Sequence, residues 1–518
     1  MLLGIPLIAH TIKTALAATT SDRVIVITDD DEIEEVSLAF GAKVIRESTN
    51  ATGAATLDQV MLRHIPDLMA LGATESDLLL TMQPTCPLVS SQRVAEAVAK
   101  FASGAGSVIT VKDDRHLTWT ITDGKPTPLY TARVNRQQLP PQFRESGAII
   151  GARIEDVLKH RTRIVEPIAL IELPENESLD IDTFSDLVVA EHWLTRRNIL
   201  IHADAGKELG MGHVYRCLAL AQELARHNVL IATTKTMPLG KEFFSAQVFE
   251  HVVIDSRADL AKLATTHLAH LTVLDILDTD AELVRGIQAT GSKVVTFEDL
   301  GTGAEVADLL VSDLYPNPRV REAKQLTGIE NAILAPSFET LSRKHETSDK
   351  VNRVLVLFGG TDPSELATKS LRALEEIGFG GEVVCIRGLG ASDISAKDFK
   401  LNLQVLRNVK NMPAQMASAD LALSSAGRTI TELAQIGVPT ICLAQNQKEL
   451  SHTHATESNG VLNLGLGLEV TIQDLSKSLR GLIESKEQRL KLHQSSLMAT
   501  RSRSNSNVVD RILKTLGL

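Results

Sequence analysis

Short apolar runs alternate with amphipathic stretches along the whole chain. Ile199, Leu200 and Ile201 form one such run, and the segment that follows spaces Val214, Cys217, Leu218 and Ala221 at helical intervals. The runs "DRVIVITDD", "DLLLTMQPTCPL" and "GSVITVKDD" predict strands in the first third, each followed by a turn or helix. Later runs at "VLIATT", "HVVID", "LTVLDI" and "KVVTFED", then at "VLVLFGGTDP", "EVVCIRG", "LQVLRN", "ADLALSS" and "VPTICLA", repeat the pattern. This is the βαβ rhythm of an α/β protein with parallel sheets and helices on both faces. "TRRN" at 195–198 reads as a junction, and the polar stretch 342–353 as a linker between two later lobes. The expected division is therefore 1–195, 196–345 and 346–518. "RSRSNSN" near the end reads as a low-complexity segment before a closing helix.

Three strand-to-helix turns are rich in glycine: "GKELGMGHVYR" at 206–216, "FGGTDP" at 358–363, and "SSAGRTITEL" at 424–433. In an open α/β sheet, ligands sit beyond the carboxyl ends of the strands, and the positive end of a helix receives phosphate. Two such lobes facing each other would form a cleft. Gly427 permits close backbone approach, Thr429 and Thr431 bring hydroxyls to the helix start, and Glu432 lies one turn in, within reach of a ribose. His213 and Arg216 lie one turn apart, off the apolar stripe. His213 could instead cap its helix or bond a carbonyl, Glu432 and Arg216 could face solvent, and Asp275 could cap the next helix.

The length of 518 residues implies two to four domains. Charge and cysteine usage narrow the class further. A formal charge of −11 argues against a nucleic-acid partner. Cys86, Cys217, Cys385 and Cys442 are scattered without a CxxC, as in a reducing cytosol, so a cytoplasmic location is expected. No apolar run reaches membrane-span length. The first twenty residues superficially resemble a secretion signal but lack a basic start, and Ile8, Ile12 and Leu16 recur as on a buried helix face.

"GMGHVYRCLALAQEL", "FGGTDP" and "SSAGRTITELAQIGVPTICLAQNQKE" together resemble the nucleotide-sugar hydrolase of pseudaminic acid biosynthesis, over roughly residues 197–515. That family is similar to GT-B glycosyltransferases. The resemblance implies a GT-B pair of Rossmann-like lobes that releases UDP from a 2,4-diacetamido-2,4,6-trideoxy sugar by water attack at the anomeric carbon, without a metal. It implies His213 as the base, a role that suits an imidazole at neutral pH, with Asp275 an acid facing the cleft. Gly210, Gly212 and Arg216 would shape the first turn, and Gly359, Gly360 and Thr361 the phosphate side. Ser425, Gly427, Thr429 and Glu432 would hold UDP, with Asn446 and Gln447 at the polar end of the same block. The family's "YALLRPEF"-like segment reads "SFETLSRKH" here, at 337–345, so a different sugar pocket is expected.

Residues 1 to about 194 resemble the cytidylyltransferases for sialic, pseudaminic and legionaminic acids. "IPLIAHTI", "DRVIVITDD", "MQPTCPL", "RQQLPPQFRESGAII" and "SLDIDTFSDLVVAE" fall in that family's order. Alternate residues of an extended "LDID", Asp180 and Asp182 point the same way, which suits Mg²⁺; a solvated acidic loop is the alternative. The resemblance implies that Gln83 contacts base or sugar and that Arg136 and Gln138 face the sugar acid. It also implies CTP and a nonulosonic acid as substrates and a homodimer through this domain. The family's phosphate-cradling strand and loop have no counterpart here, its Ser-Asp-Thr block reads "ATGAAT" at 51–56, and Ser146 stands where it has Asn. Little or no cytidylyltransferase activity is therefore expected of this domain as given. The expectation is a two-part enzyme joining two steps of one pathway. The rivals are a GT-B glycosyltransferase and a scaffold role for the first domain. A dinucleotide oxidoreductase is disfavoured, because no GxGxxG follows the first strand of either lobe.

Overall fold

Strands form where β-branched and leucine-rich runs meet polar turns, and their order fixes two compact units, Met1–Arg196 and Arg197–Leu518. The structure, a computed structural model, describes residues 1–47, 55–205, 212–340, 346–388, 390–407 and 409–518.

In the first unit the helix Leu7–Ala18 packs Ile8, Ile12 and Leu16 around Val24 and Ala42. The strands Ile25–Thr28 and Lys43–Arg46 pair in parallel as a separate two-stranded sheet. A second sheet runs Leu78–Thr81, Phe143–Arg153, Ser107–Asp113, Ile168–Glu172. Here the parallel expectation needs correcting. Phe143–Arg153 is antiparallel to both of its neighbours, and Ser107–Asp113 pairs in parallel with Ile168–Glu172. The cause lies in the connection: no helix of crossover length separates Ser107–Asp113 from Phe143–Arg153. The chain passes through a small hairpin, Trp119–Thr122 with Lys125–Pro128, and returns in the opposite direction.

The second unit holds the expected pair of Rossmann-like lobes. The N-lobe sheet has seven parallel strands in the order Glu250–Ile254, Asn228–Thr234, Asn198–Ala203, Leu271–Asp275, Lys293–Phe297, Leu309–Ser312, Gln325–Thr327. Alternate residues feed opposite faces: Ile199, Ile201, Val273 and Val295 join one core, and Leu200, Leu230, Leu274 and Val294 the other. The C-lobe sheet has six parallel strands: Asn402–Arg407, Glu382–Arg387, Arg353–Leu357, Leu421–Ser424, Thr440–Ala444, Val461–Leu466.

The supposed low-complexity segment is a structural hub. Arg503 is buried and donates to Gln435 Oε1, Glu339 Oε1 and the Ala332 carbonyl. The buried Asn505 amide bonds both the N–H and the carbonyl of Leu334. The closing helix Asn505–Leu516 then inserts Val508, Val509, Ile512 and Leu513 into the N-lobe core beside Val214 and Cys217. The last helix of the chain thereby braces the helix that carries His213. Within the polar stretch before Arg353, Asp420 accepts from Ser348 Oγ and the Asn352 N–H, and Arg489 donates to the Ser348 and Asp349 carbonyls. Among the described residues no helix is long and apolar enough to cross a membrane.

Candidate active site

The N-lobe strand Asn198–Ala203 is buried along almost its whole length and leads toward the first glycine turn. Gly210 and the rest of 206–211 lie outside the described residues. The helix Gly212–Glu223 starts at Gly212 and places His213 at its mouth and Arg216 one turn deeper. Asp275 ends the neighbouring strand, so its carboxylate emerges at the same sheet edge. His213 Nδ1 lies 2.6 Å from Asp275 Oδ1. Arg216 grips the same carboxylate with two nitrogens, Nε to Oδ2 at 2.7 Å and Nη2 to Oδ1 at 2.5 Å. Burial pushes the Asp275 carboxyl up, but Arg216 and His213 outweigh it and hold it well below the usual carboxylate range. The Arg216 guanidinium lies over the Phe297 ring, 5.2 Å from its centroid.

Arg216 extends this pair into a network. Its Nη1 donates to Glu298 Oε1 at 2.6 Å. Glu298 follows the strand Lys293–Phe297 with φ of 52°, a left-handed backbone that a non-glycine residue adopts at a cost of ~1–3 kcal/mol. That turn aims its carboxylate inward. Arg428, from the C-lobe, donates Nη1 to the same Oε1 at 2.8 Å and to Asp313 Oδ1 at 3.4 Å, and Nη2 to the Ile333 carbonyl at 2.8 Å. Burial pushes Glu298 up, and Arg216 and Arg428 bring it down to about 2. For Asp313, burial and the Glu298 charge win over the two guanidiniums, and it is pushed up to about 6.

In the C-lobe the strands Arg353–Leu357, Leu421–Ser424 and Thr440–Ala444 are neighbours, so the turns after them share one edge. Gly359, with φ of 72°, and Gly360 and Thr361 form an exposed lip. Beneath them Asp362 is buried, caps the next helix through the Leu366 and Ala367 N–H groups, and pairs with Arg387 at 2.5 Å. The turn Ser425–Arg428 leads into the helix Thr429–Ile436. Ser425 is buried, while Gly427, Thr429 and Glu432 are half-buried at this edge. Burial pushes the Glu432 carboxyl up to about 7, against a partial offset from Arg428. Asn446 is spent as a helix cap, accepting from the Glu449 N–H, and Gln447 is exposed beside it.

Several residues of this region escape sequence reading. Glu449 Oε2 accepts the Gln445 N–H at 2.8 Å, and the same carboxylate is held by Ser425 and the Ala426 backbone. His452 Nδ1 bonds the Ala426 carbonyl at 2.7 Å and His454 Nε2 the Gly427 carbonyl at 3.1 Å. These three side chains fix the backbone of the turn from below. The His452 ring also stacks on Tyr315 of the N-lobe, 5.3 Å between centroids. The polar run after "ICLA" was their signal, but nothing in it marks which side chains turn inward. Of the divergent "SFETLSRKH" stretch, Phe338 is buried, Glu339 holds Arg503 and the Asn505 N–H, and 341–345 lie outside the described residues.

In the first unit Gln83 follows the strand Leu78–Thr81, and its carboxamide lies directly against Gly147, whose φ is 76°. Asp180 Oδ1 is 3.8 Å from Cys86 Sγ. Burial, then the Asp180 charge and more weakly Asp182, push this thiol up to about 12. Arg136 and Gln138 are exposed on one short turn, and Gln138 Oε1 accepts the Asn135 N–H at 3.3 Å. Ser146 is buried and bonds Thr110. Of "ATGAAT", residues 51–54 lie outside the described residues, and Thr56 caps the helix Leu57–Ala70.

Comparison with known proteins finds similarity in both units. Residues 1–116 match the cytidylyltransferase family, and residues 354–508 match the glycosyltransferase family 28 C-terminal domain. The chain is 25% identical over 311 residues to the spore coat polysaccharide biosynthesis protein SpsG of Bacillus subtilis, a match covering 57% of this chain and 91% of that one. It is 25% identical over 201 residues to the CMP-N,N'-diacetyllegionaminic acid synthase of Legionella pneumophila, covering 37% of this chain and 86% of that one. The solved structure of Acinetobacter baumannii MurG aligns with a TM-score of 0.46 and 18% identity, covering 61% of this chain and 99% of that one. The protein thus joins a cytidylyltransferase-like unit to a unit of two Rossmann-like lobes whose second lobe is similar to the family 28 glycosyltransferases.

Proposed function

We propose that the second unit hydrolyses a UDP-linked 2,4-diacetamido-2,4,6-trideoxy sugar and that the whole chain serves nonulosonic acid biosynthesis. The observation that carries this reading is the His213–Asp275–Arg216 constellation at the N-lobe edge, tied through Arg428 to the glycine turn of the C-lobe. With Nδ1–H donated to Asp275, the imidazole turns Nε2 out as a proton acceptor. Water attacks the anomeric carbon, the bond from that carbon to the diphosphate oxygen breaks, and UDP leaves with the bonding pair. The water proton passes to His213 Nε2. Gly427 and the N-terminus of Thr429–Ile436 would receive the diphosphate, and Glu432 the ribose hydroxyls.

Incubation with UDP-2,4-diacetamido-2,4,6-trideoxy-β-L-altropyranose should release UDP, and His213→Ala should abolish the release. Undiminished release by the variant removes His213 from the mechanism. The match of residues 354–508 to a glycosyltransferase domain favours a second reading, transfer of the sugar to an acceptor. Release that requires an added acceptor would select it.

For the first unit, Asp180 and Asp182 are the residues that would hold Mg²⁺ alongside substrate phosphates and water. Bound there, the ion would neutralise phosphate charge. The chain's own residues would orient a nucleotide or sugar acid through Gln83 and Arg136.

A further inference from the structure

We infer that Arg428 is a positioning residue that makes the His213 base of the N-lobe depend on the state of the nucleotide turn in the C-lobe. This rests on the reading of 425–432 as the nucleotide site. Arg428 sits in the backbone between Gly427 and Thr429, so a diphosphate bound at this turn would act on the Arg428 main chain directly. Its side chain leaves the turn and crosses to the N-lobe, where it bonds Glu298, Asp313 and the Ile333 carbonyl. Glu298 Oε1 is shared, at 2.8 Å from Arg428 Nη1 and 2.6 Å from Arg216 Nη1. Arg216 in turn holds Asp275, and Asp275 holds His213. Every link from Arg428 to His213 is therefore a charged hydrogen bond of 2.8 Å or less, and the Glu298, Arg216 and Asp275 side chains are almost fully excluded from water.

Charge shows what the link does. Three carboxylates, Asp275, Glu298 and Asp313, share two guanidiniums, Arg216 and Arg428. With Arg428 withdrawn, Glu298 and Asp313 both draw on Arg216, which also serves Asp275. The guanidinium is then pulled toward Glu298, and the Asp275–His213 bond loses its anchor. Engagement of Arg428 leaves Arg216 free to brace Asp275. Any displacement of the turn that withdraws Arg428 would thus loosen the base, and a nucleotide that holds the turn in place would keep it set.

The test is the imidazole NMR signal of His213 in protein carrying ¹³C-histidine, assigned by its loss in His213→Ala, during titration with UDP. In the wild type UDP should move this signal. Arg428→Gln should bind UDP within about threefold of the wild-type Kd but lose the shift, and its kcat should fall about tenfold with KM little changed. Glu298→Gln cuts the same link from the N-lobe without touching the turn and should behave alike, while Arg428→Lys should restore part of the response. A wild-type His213 signal indifferent to bound UDP overturns the proposal. So does an Arg428→Gln signal that still responds, or UDP affinity that falls in step with kcat. A wild type that binds UDP and shifts His213 yet releases no UDP from the sugar nucleotide would sink the hydrolase reading and leave the coupling standing.

Discussion

Replacing Asp275 by Asn tests the base most directly. Asp275 is fully buried and accepts from His213 Nδ1 at 2.6 Å and from Arg216 at 2.7 and 2.5 Å. With its oxygen at the Oδ2 position, Asn keeps the shape and the bond from Arg216 Nε, while its NH₂ at the Oδ1 position gives up the bond from Arg216 Nη2. The amide NH₂ then faces His213 Nδ1 as a donor, so the ring must place its proton on Nε2, the nitrogen meant to accept one. A positioned general base contributes about 10²–10⁴ in rate, or about 2.7–5.4 kcal/mol of barrier, and Asp275→Asn should lose most of it. Removing one partner of a buried ion pair costs about 3–5 kcal/mol of stability, and the retained Arg216 contact should keep the loss near the lower end. A domain stable by ~5–15 kcal/mol survives that. The assay is UDP release under single-turnover conditions, beside a urea melt. Release within threefold of wild type by a folded variant would refute the role given to Asp275 and the tautomer argument with it.

Two further substitutions read the titrating carboxyls. Glu432 has a folded pKa of about 7, above its unfolded value, so its penalty on stability grows as pH rises from the ordinary carboxylate range to about 7 and is complete above that. Glu432→Gln should therefore melt higher than wild type at pH 8 and match it near pH 4, while binding UDP about tenfold more weakly; an unchanged UDP affinity would return Glu432 to the role of an ordinary helix residue. Asp313, at about 6, carries the same sign: the protein loses stability as pH rises between about 4 and 6. Asp313→Asn mimics the protonated form, so its melting temperature should exceed that of wild type at pH 8, by about half as much at pH 5, and converge with it below about pH 4, and a constant gap across these pH values would contradict the assignment.

The sequence showed the architecture where one strand's periodicity sufficed. The run Ile199–Ile201 and the helical spacing from Val214 to Ala221 locate the first βα unit, and the glycines mark its edge. The roles of His213 and Asp275 come from the resemblance, since position alone leaves a helix cap equally open for each; what the structure adds is that the two side chains meet. Glu298 was not legible, because "FED" offers two adjacent acids and only the left-handed backbone at Glu298 decides which carboxylate meets Arg216. Arg428 reads as part of a turn, and its partners lie 130 and 115 positions away. Arg503 and Asn505 read as a polar tail because composition carries no information about burial. They are buried because the backbone at 332–334 needs partners, which these two side chains provide. The antiparallel Phe143–Arg153 was missed for a related reason: strand pattern fixes a strand, while direction depends on the length and path of the connection.

Burying three carboxylates and two guanidiniums is costly, and replacing such a cluster by apolar residues is often neutral or stabilising. The positions here do not resemble a stabilising device. Glu298 adds backbone strain to reach the cluster, and burial is not fully offset at Asp313, whose carboxyl is pushed up to about 6. With a neutral imidazole and all three acids ionised, the six side chains His213, Asp275, Arg216, Glu298, Arg428 and Asp313 sum to −1. When His213 takes a proton they sum to zero. The cluster is therefore balanced for the moment after water has given up its proton, and its excess negative charge faces the imidazolium formed in that step. Because one of the two cations comes from the C-lobe, the balance holds only while the lobes are joined through Arg428. On the proposed reading, the base is therefore fully set only while Arg428 bridges the two lobes.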